Sequence, residues 1–373
     1  MWKKVKYWNR QKNHLLRRLK LKLVCMMFDM TCRPTAPDLK AIKKVLVLRD
    51  DNKIGDMIVS TGLFDQLHSA GLRVDVVAGN ANAFIAESLP QVSAIFLYPQ
   101  KILQILQTGC QLRRQKYDLV IDFGDYLSPV YYSFISLINA RHTLGFNKPQ
   151  FCRYDQNVTD TAIDQHITTR YKKVLAMLGL PSDTYRYQLQ VPDISRREAD
   201  AFIHSLPSDA IVVLNPFAAS KDRMLSPQQI SAFTRMVNQI APELQVIVIG
   251  PPDLLAATEI PVTAIKNPCD SFWSAVVLVQ RARLLISPDT SWVHVACAYQ
   301  TPLIALYKSK IIDGGLINNK VWAPGFQPSV QIITDKNSVA DIEPQAIAGA
   351  LKQYLRPAEI SEPVPRQHTD KTV

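Results

Sequence analysis

Short apolar runs alternate with helical stretches along this chain, first over residues 43–178 and again over residues 210–307. In the first series, residues 44–48 (KVLVL), 73–78, 94–97 and 118–122 (DLVID) read as strands. Helices fit from about Met57 and over residues 101–115, 126–139 and 164–178. In the second series, residues 210–214 (AIVVL), 245–249 (QVIVI), 262–265, 283–286 and 301–307 read as strands, and a helix begins near Ser291. Apolar runs this short, without a polar face, are what strands covered on both sides look like. Successive βα units wind into parallel sheets flanked by helices. The expected fold class is α/β with two such domains, because 373 residues exceed one ordinary core. The expected boundaries are a basic amphipathic segment at 1–34, a first Rossmann-like domain at 35–185 and an interdomain linker at 186–208. A second Rossmann-like domain at 209–358 and a disordered tail at 359–373 complete the expectation.

The net charge of +11 is unevenly placed. Residues 1–34 hold ten Lys and Arg against one acid, Asp29, which leaves 33 bases and 31 acids in the rest. The body is therefore near neutral, which excludes a body-wide nucleic-acid surface. Val5, Trp8, Leu15, Leu16, Leu19, Leu23, Met26 and Met27 recur at helical spacing, with basic residues on the other faces. This is the pattern of a helix lying in an anionic membrane surface or of one packed on the body, with Pro34 and Pro37 ending it. Six scattered cysteines without a C-x-x-C pair argue against a zinc site or a disulfide framework. No apolar run is long enough to span a bilayer and no signal peptide is evident, so a cytoplasmic, peripheral protein is expected.

Ligands of parallel α/β sheets collect where strands run into helix N-termini. Three such loops carry chemistry. The first, Arg49-Asp50-Asp51-Asn52-Lys53-Ile54-Gly55-Asp56, places Asp56 near a helix start, as a cap or as a general base. The second, residues 215–223, offers Ser220, Lys221 and Arg223 to a diphosphate, although it lacks a P-loop's G-K-[ST] ending. The third, Ser287-Pro288-Asp289-Thr290-Ser291-Trp292-Val293-His294, has cap residues before a helix, whose free amides suit phosphate oxygens.

In this order the loops resemble family-9 glycosyltransferases, the lipopolysaccharide heptosyltransferases, over about residues 43–354. The resemblance is carried by D-T-x-x-x-H-x-A-x-A at Asp289, Thr290, His294, Ala296 and Ala298, and by I-G-D at Ile54, Gly55 and Asp56. YDLVID at 117–122, Leu144-Gly145-Phe146 and the His166 helix add to it. The family implies a GT-B fold, in which two Rossmann-like domains with parallel sheets face a central cleft. It also implies inverting chemistry without a metal or other cofactor. Asp56 matches the family's base; Ser220, Lys221, Arg223, Asp289, Thr290, Ser291 and His294 fall on the donor and phosphate side; Arg49, Lys53, Asp125 and His166 fall on the acceptor side. Ser291 stands where the family has Gly, Gly62 where it often has Pro, and Leu225 where it often has Trp.

The resemblance implies transfer of a heptose from ADP-heptose to the inner core of lipopolysaccharide. Transfer from another nucleotide sugar, and a non-catalytic GT-B binding or scaffold protein, stay open beside it. No G-x-G-x-x-G follows the first strand of either half, which argues against a dinucleotide-dependent dehydrogenase.

Overall fold

A computed structural model of the chain describes residues 2–29, 41–125, 127–309, 311–312 and 316–355, and the side chains of all these except 2–15 and 311–312. The first half runs α1 (Trp2–Asp29), β1 (Lys44–Arg49), α2 (Ile54–Ser69), β2 (Arg73–Ala78), α3 (Ala83–Glu87), β3 (Val92–Leu97), α4 (Ile102–Arg113), β4 (Leu119–Asp122), α5 (Pro129–Ile138), β5 (His142–Phe146), β6 (Gln156–Val158) and α6 (Thr168–Met177). Helix α7 (Asp193–His204) leads to the second half, which begins β7 (Ile211–Leu214), α8 (Pro227–Ile240), β8 (Gln245–Val248), α9 (Pro252–Ala257) and β9 (Ala264–Lys266). It continues with α10 (Phe272–Arg281), β10 (Leu284–Pro288), α11 (Ser291–Tyr299), β11 (Leu303–Lys308), β12 (Ile311–Ile312), β13 (Leu316–Ile317), α12 (Asn318–Val321), β14 (Ser329–Thr334) and α13 (Ala348–Leu355).

The front sheet has the order β3-β2-β1-β4-β5-β6 and the rear sheet β14-β11-β10-β7-β8-β9. Every pairing in both is parallel. Each sheet thus starts at its middle and winds outward both ways, so its crevice opens beside its first strand. In front that crevice lies between β1 and β4, and behind it lies between β7 and β10.

Apolar residues form three layers. One cluster covers the outer side of the front sheet, with Leu46, Leu48, Tyr132 and Phe134. A second covers the other side of the rear sheet, with Val212, Leu214, Phe233 and Leu351. The largest runs without a break through both halves, from Val45, Met57 and Phe64 to Val277, Val293 and Tyr307. The two halves therefore share apolar packing across their contact.

Strands expected over 44–48, 73–78, 94–97 and 118–122 are present within two residues of those limits. Strands β5, β6 and β14 are additions to the sequence reading. β5 carries His142, Thr143 and Gly145 in five residues, and β6 is only three residues long. The stretch read as a connection at 186–208 contains α7, which buries Ser195, Ala199 and Ile203 and packs on α10. Glu198 accepts a hydrogen bond from Ser274 of that helix at 3.0 Å. Cys152 is disulfide-bonded, whereas Cys25, Cys110, Cys269 and Cys297 are free. Pro34, Pro37 and the tail at 359–373 lie outside the described residues, as do the side chains of Val5, Trp8 and Leu15.

Helix α1 is docked on α5 through Leu21, Val24, Cys25 and Phe28. Tyr132 donates to the Asp29 carboxylate, and the Arg153 guanidinium donates to the Phe28 carbonyl at 2.9 Å. The opposite side leaves Leu16, Leu19, Leu23, Met26 and Met27 exposed, and Arg17, Arg18, Lys20 and Lys22 of the same helix are exposed as well. Among the described residues no helix is long and apolar enough to cross a membrane.

Helix α2 is buried along most of its length, and the segment leading to α7 lies directly on it. A Cβ at Gly62 would stand 2.6 Å from the Arg186 carbonyl and 2.8 Å from the Tyr185 ring. The backbone carbonyl cannot rotate away, so Gly62→Ala is expected to cost about 1–3 kcal/mol. A lowered urea midpoint at unchanged slope would register it. Gly349→Ala, with open space around it, supplies the baseline.

Candidate active site

The loop leaving β1 is held by atoms distant in sequence. Buried Asn82 donates to the Arg49 carbonyl at 3.1 Å, the Asp51 carboxylate at 3.2 Å and the Lys53 carbonyl at 3.3 Å. Asn52 takes a left-handed conformation, φ 57°, and its side-chain oxygen accepts from the Ala81 amide at 3.0 Å. This brace lets the chain turn sharply into α2. The N-cap position falls on Lys53, which makes no side-chain capping bond, so Asp56 sits inside the first turn and is not the cap.

Asp56 is 7% exposed. One of its oxygens lies 3.2 Å from Arg49 Nη2 and 3.8 Å from Lys53 Nζ. Burial pushes its carboxyl up to about 6, while Arg49 opposes the rise. Such a group is largely ionised at neutral pH and still basic enough to take a proton. Behind it, Asp122 at the end of β4 is fully buried and fully partnered. It accepts from Lys148 at 2.7 Å, Tyr154 at 2.6 Å, Tyr131 at 3.2 Å and the Gly124 amide at 2.8 Å. Asp50 accepts from the same Tyr131 hydroxyl at 3.2 Å, and burial beside Asp122 raises it to about 6.

The rear loops are joined by another buried amide. Asn215 donates to Ser287 Oγ at 3.0 Å and to Thr290 Oγ1 at 3.3 Å, tying the end of β7 to the end of β10. Thr290 caps α11 by accepting from the Trp292 amide at 3.4 Å. The second loop closes in a 3-10 turn, Lys221–Arg223. Arg223 Nε donates to Ser220 Oγ at 3.1 Å, and its Nη1 lies 3.2 Å from the Asp289 carboxylate. Asp289 also accepts from Asn318. Burial raises its carboxyl even so, with Arg223 and Asn318 opposing. Lys221 is exposed, and Ser291 is half-buried at the first helical position.

The two halves meet at Gly55. A Cβ there would stand 2.9 Å from His294 Cδ2 and 3.6 Å from Ser291 Cα, so the start of α2 rests on the start of α11. His294 is buried, with Tyr187 and Trp322 edge-on to its ring at 5.9 and 5.8 Å. Its Nδ1 has no hydrogen-bond partner among the described residues. Burial, with His166 adding to it, pushes the imidazole down to about 3. His294 is thus a neutral wedge between the halves, set one turn behind the residues it was grouped with in the sequence.

The remaining sequence candidates divide. Arg49 and Lys53 stand at Asp56, as expected from the loop. Arg49 is buried, whereas Lys53 is mostly exposed. Asp125 is half exposed and accepts from Arg170 at 2.9 and 3.1 Å. His166 Nε2 meets the Ala323 carbonyl at 3.0 Å, beside an Ile167 amide bond to Val321 O at 2.8 Å. It therefore ties the start of α6 to the α12 region of the rear half. Sequence reasoning missed Asp51, Asn82, Asn215 and Asn318. An Asn far along the chain gives no local signal that it braces a loop.

Two doubly wound halves, joined so that the loops at the carboxyl ends of their central strands meet, make the GT-B architecture. The sequence profile of glycosyltransferase family 9 (heptosyltransferase) matches residues 105–313; the chain belongs to that family and is a glycosyltransferase. An Escherichia coli (strain K12) protein named "Putative lipopolysaccharide heptosyltransferase 4" is 26% identical over 356 residues, 92% of this chain and 96% of its own. Escherichia coli lipopolysaccharide heptosyltransferase 3 is 24% identical over 303 residues, 74% of this chain and 85% of its own. The solved structure of Escherichia coli ADP-heptose lps heptosyltransferase II superposes with a TM-score of 0.65 at 18% identity, covering 84% of this chain and 98% of that one. A family 9 glycosyl transferase from Veillonella parvula DSM 2008 gives 0.68 at 16%, covering 84% and 97%.

The neutral burial of His294 has a consequence for stability. Its folded value lies below the unfolded value of about 6.5, so between those two the unfolded chain binds the extra proton. This contribution is complete above about pH 6.5 and declines as pH falls towards 3. From pH 7 to pH 5 it should decline by about 2 kcal/mol. Because Asp56 and Asp50 also titrate in this window, the test is the difference between proteins: by urea titration, the change in stability from pH 7 to pH 5 should be about 2 kcal/mol less favourable in the wild type than in His294→Gln. Equal changes in both proteins would assign the imidazole no such role.

Proposed function

We propose that the chain transfers a heptose from ADP-heptose to the inner core of lipopolysaccharide in a single inverting displacement, at the cytoplasmic face of the membrane. Asp56 takes the proton of the acceptor hydroxyl as its oxygen attacks the anomeric carbon. The bond to the diphosphate breaks in the same step, and the charge left on that diphosphate is met by Lys221, Arg223, Ser220 and the free amides at the start of α11. Protein donors aimed at the developing charge serve here in place of a metal ion. The observation that carries this reading is the meeting of α2 with α11 at Gly55, which brings a buried carboxylate of intermediate basicity beside the rear helix start. The names of the relatives supply the donor and acceptor classes.

Asp56→Asn should lower turnover by about 10²–10⁴ while leaving ADP binding by titration calorimetry nearly intact. In the wild type, kcat/KM should fall on the acid side with a limb near 6, because the carboxyl must be ionised to act. Unchanged turnover in the Asn variant would remove Asp56 from the chemistry.

The exposed side of α1 supports the second half of the proposal, docking on an anionic bilayer. Its apolar residues would enter the headgroup layer, with Arg17, Arg18, Lys20 and Lys22 each contributing about 1 kcal/mol near anionic lipid. Leu19, Leu23 and Met26 take no part in the contact with α5, so changing all three to Asp should leave the helix docked. This variant should stay in the supernatant when spun with phosphatidylglycerol vesicles that sediment the wild type. Undiminished co-sedimentation would end the docking idea.

A further inference from the structure

Arg49 stands inside the front loop, between two carboxylates. Its Nη2 is 2.6 Å from Asp51 Oδ2 and 3.2 Å from Asp56 Oδ2. The guanidinium carbon lies 5.6 Å from the centroid of the Phe123 ring, and Nε is buried without a partner among the described residues. The side chain is only 7% exposed, so it is poorly placed to meet an acceptor directly. The other oxygen of Asp51 accepts from the Lys53 amide at 3.1 Å and from Asn82 at 3.2 Å. Asp51 is thereby fixed on the same Arg49 nitrogen as Asp56, with its carboxyl next to the Asp56 carboxyl.

We propose that Arg49 and Asp51 act as a pair of positioning residues for Asp56, in which Arg49 holds the carboxylate in its reactive place and Asp51 draws off part of that hold. The inference rests on Asp56 being the general base. One cation shared by two anions fixes the geometry of both, yet leaves the reactive one incompletely neutralised. A carboxylate paired alone with a buried arginine would be held in place but would be a poor proton acceptor. With no arginine at all, burial would keep it protonated. The shared arrangement avoids both extremes.

Other groups facing Asp56 do not take over this role. Lys53 is 3.8 Å away and mostly exposed, so water screens it. Tyr171 of α6 holds its proton and is bonded to Ser60 at 2.9 Å. His294 of α11 is neutral. Asp50 accepts from Tyr131.

The test is the acid limb of kcat/KM against pH in two variants whose shifts must have opposite sign. Arg49→Gln removes the cation and should move the limb up by about 1–3 pH units. Asp51→Asn keeps an oxygen for Lys53 and Asn82 but removes the competing charge, so the limb should move down. Arg49→Lys should restore the limb close to its wild-type position. If Arg49→Gln does not fold, the downward shift in Asp51→Asn and the Arg49→Lys profile decide alone. Limbs that stay put, or that move together, overturn the pairing while leaving Asp56 as base. Full turnover in Asp56→Asn would overturn the base assignment itself, so the two failures are separate.

Discussion

The structure depends on a close approach at Gly55, where the first turn of α2 rests against the first turn of α11. A Cβ here would press on the buried His294 ring, while the Ser291 backbone already lies at van der Waals distance. The approach brings two positive helix ends together, which is unfavourable unless negative charge lies nearby. Each half supplies one buried carboxylate at that point, Asp56 in the first turn of α2 and Asp289 just before α11. Each carboxylate is also held by an arginine from a neighbouring loop position, Arg49 in front and Arg223 behind.

The halves are thus alike in design and differ in how far each pairing is completed. Asp289 has both Arg223 and Asn318 on one of its oxygens. Asp56 has only the cation that Asp51 shares, together with a distant lysine. Under the proposed function this difference is what separates their work. The rear carboxylate orients donor-side groups and has no reason to take a proton, while the front one must exchange a proton with the acceptor. A neutral His294 between them fits the same scheme. A protonated ring in this apolar contact would add a third positive group beside two helix ends, and burial prevents it.

Much of this was legible in the sequence because it is local. A strand, a loop and a helix start within about a dozen residues fix where Asp56, Arg223 and Asp289 stand, and the apolar runs that buried strands require gave the sheet cores. What was not legible is what comes from afar. Asn82 reaches back to Arg49 and Lys53 through space, and Asn215 reaches forward to Thr290. The role of His294 was hidden for a related reason. Its spacing from Asp289 suggested a place beside the ligand, but the first turn of another half covers it. β5 escaped because Gly145 breaks its apolar run, and that glycine is there so that the Tyr154 ring can lie against the strand.

Helix α1 links the front crevice to the molecular surface. Its last turn meets the first turn of α5 through the Tyr132–Asp29 bond, and α5 begins where β4 ends. The carboxyl end of β4 is one wall of the front crevice, where Asp122 is buried and Asp125, three residues on, is half exposed. Leu23, Met26 and Met27, the exposed apolar residues nearest the end of α1, therefore lie towards the rim of the sheet from which an acceptor would enter. One side of α1 is fixed to the body by Leu21, Val24, Cys25 and Phe28, so the other side cannot turn independently of the crevice. If that exposed side sits in a bilayer, the orientation of the whole front half follows from it. A lipid-linked acceptor would then reach Asp56 along the surface that carries it, without first leaving the membrane.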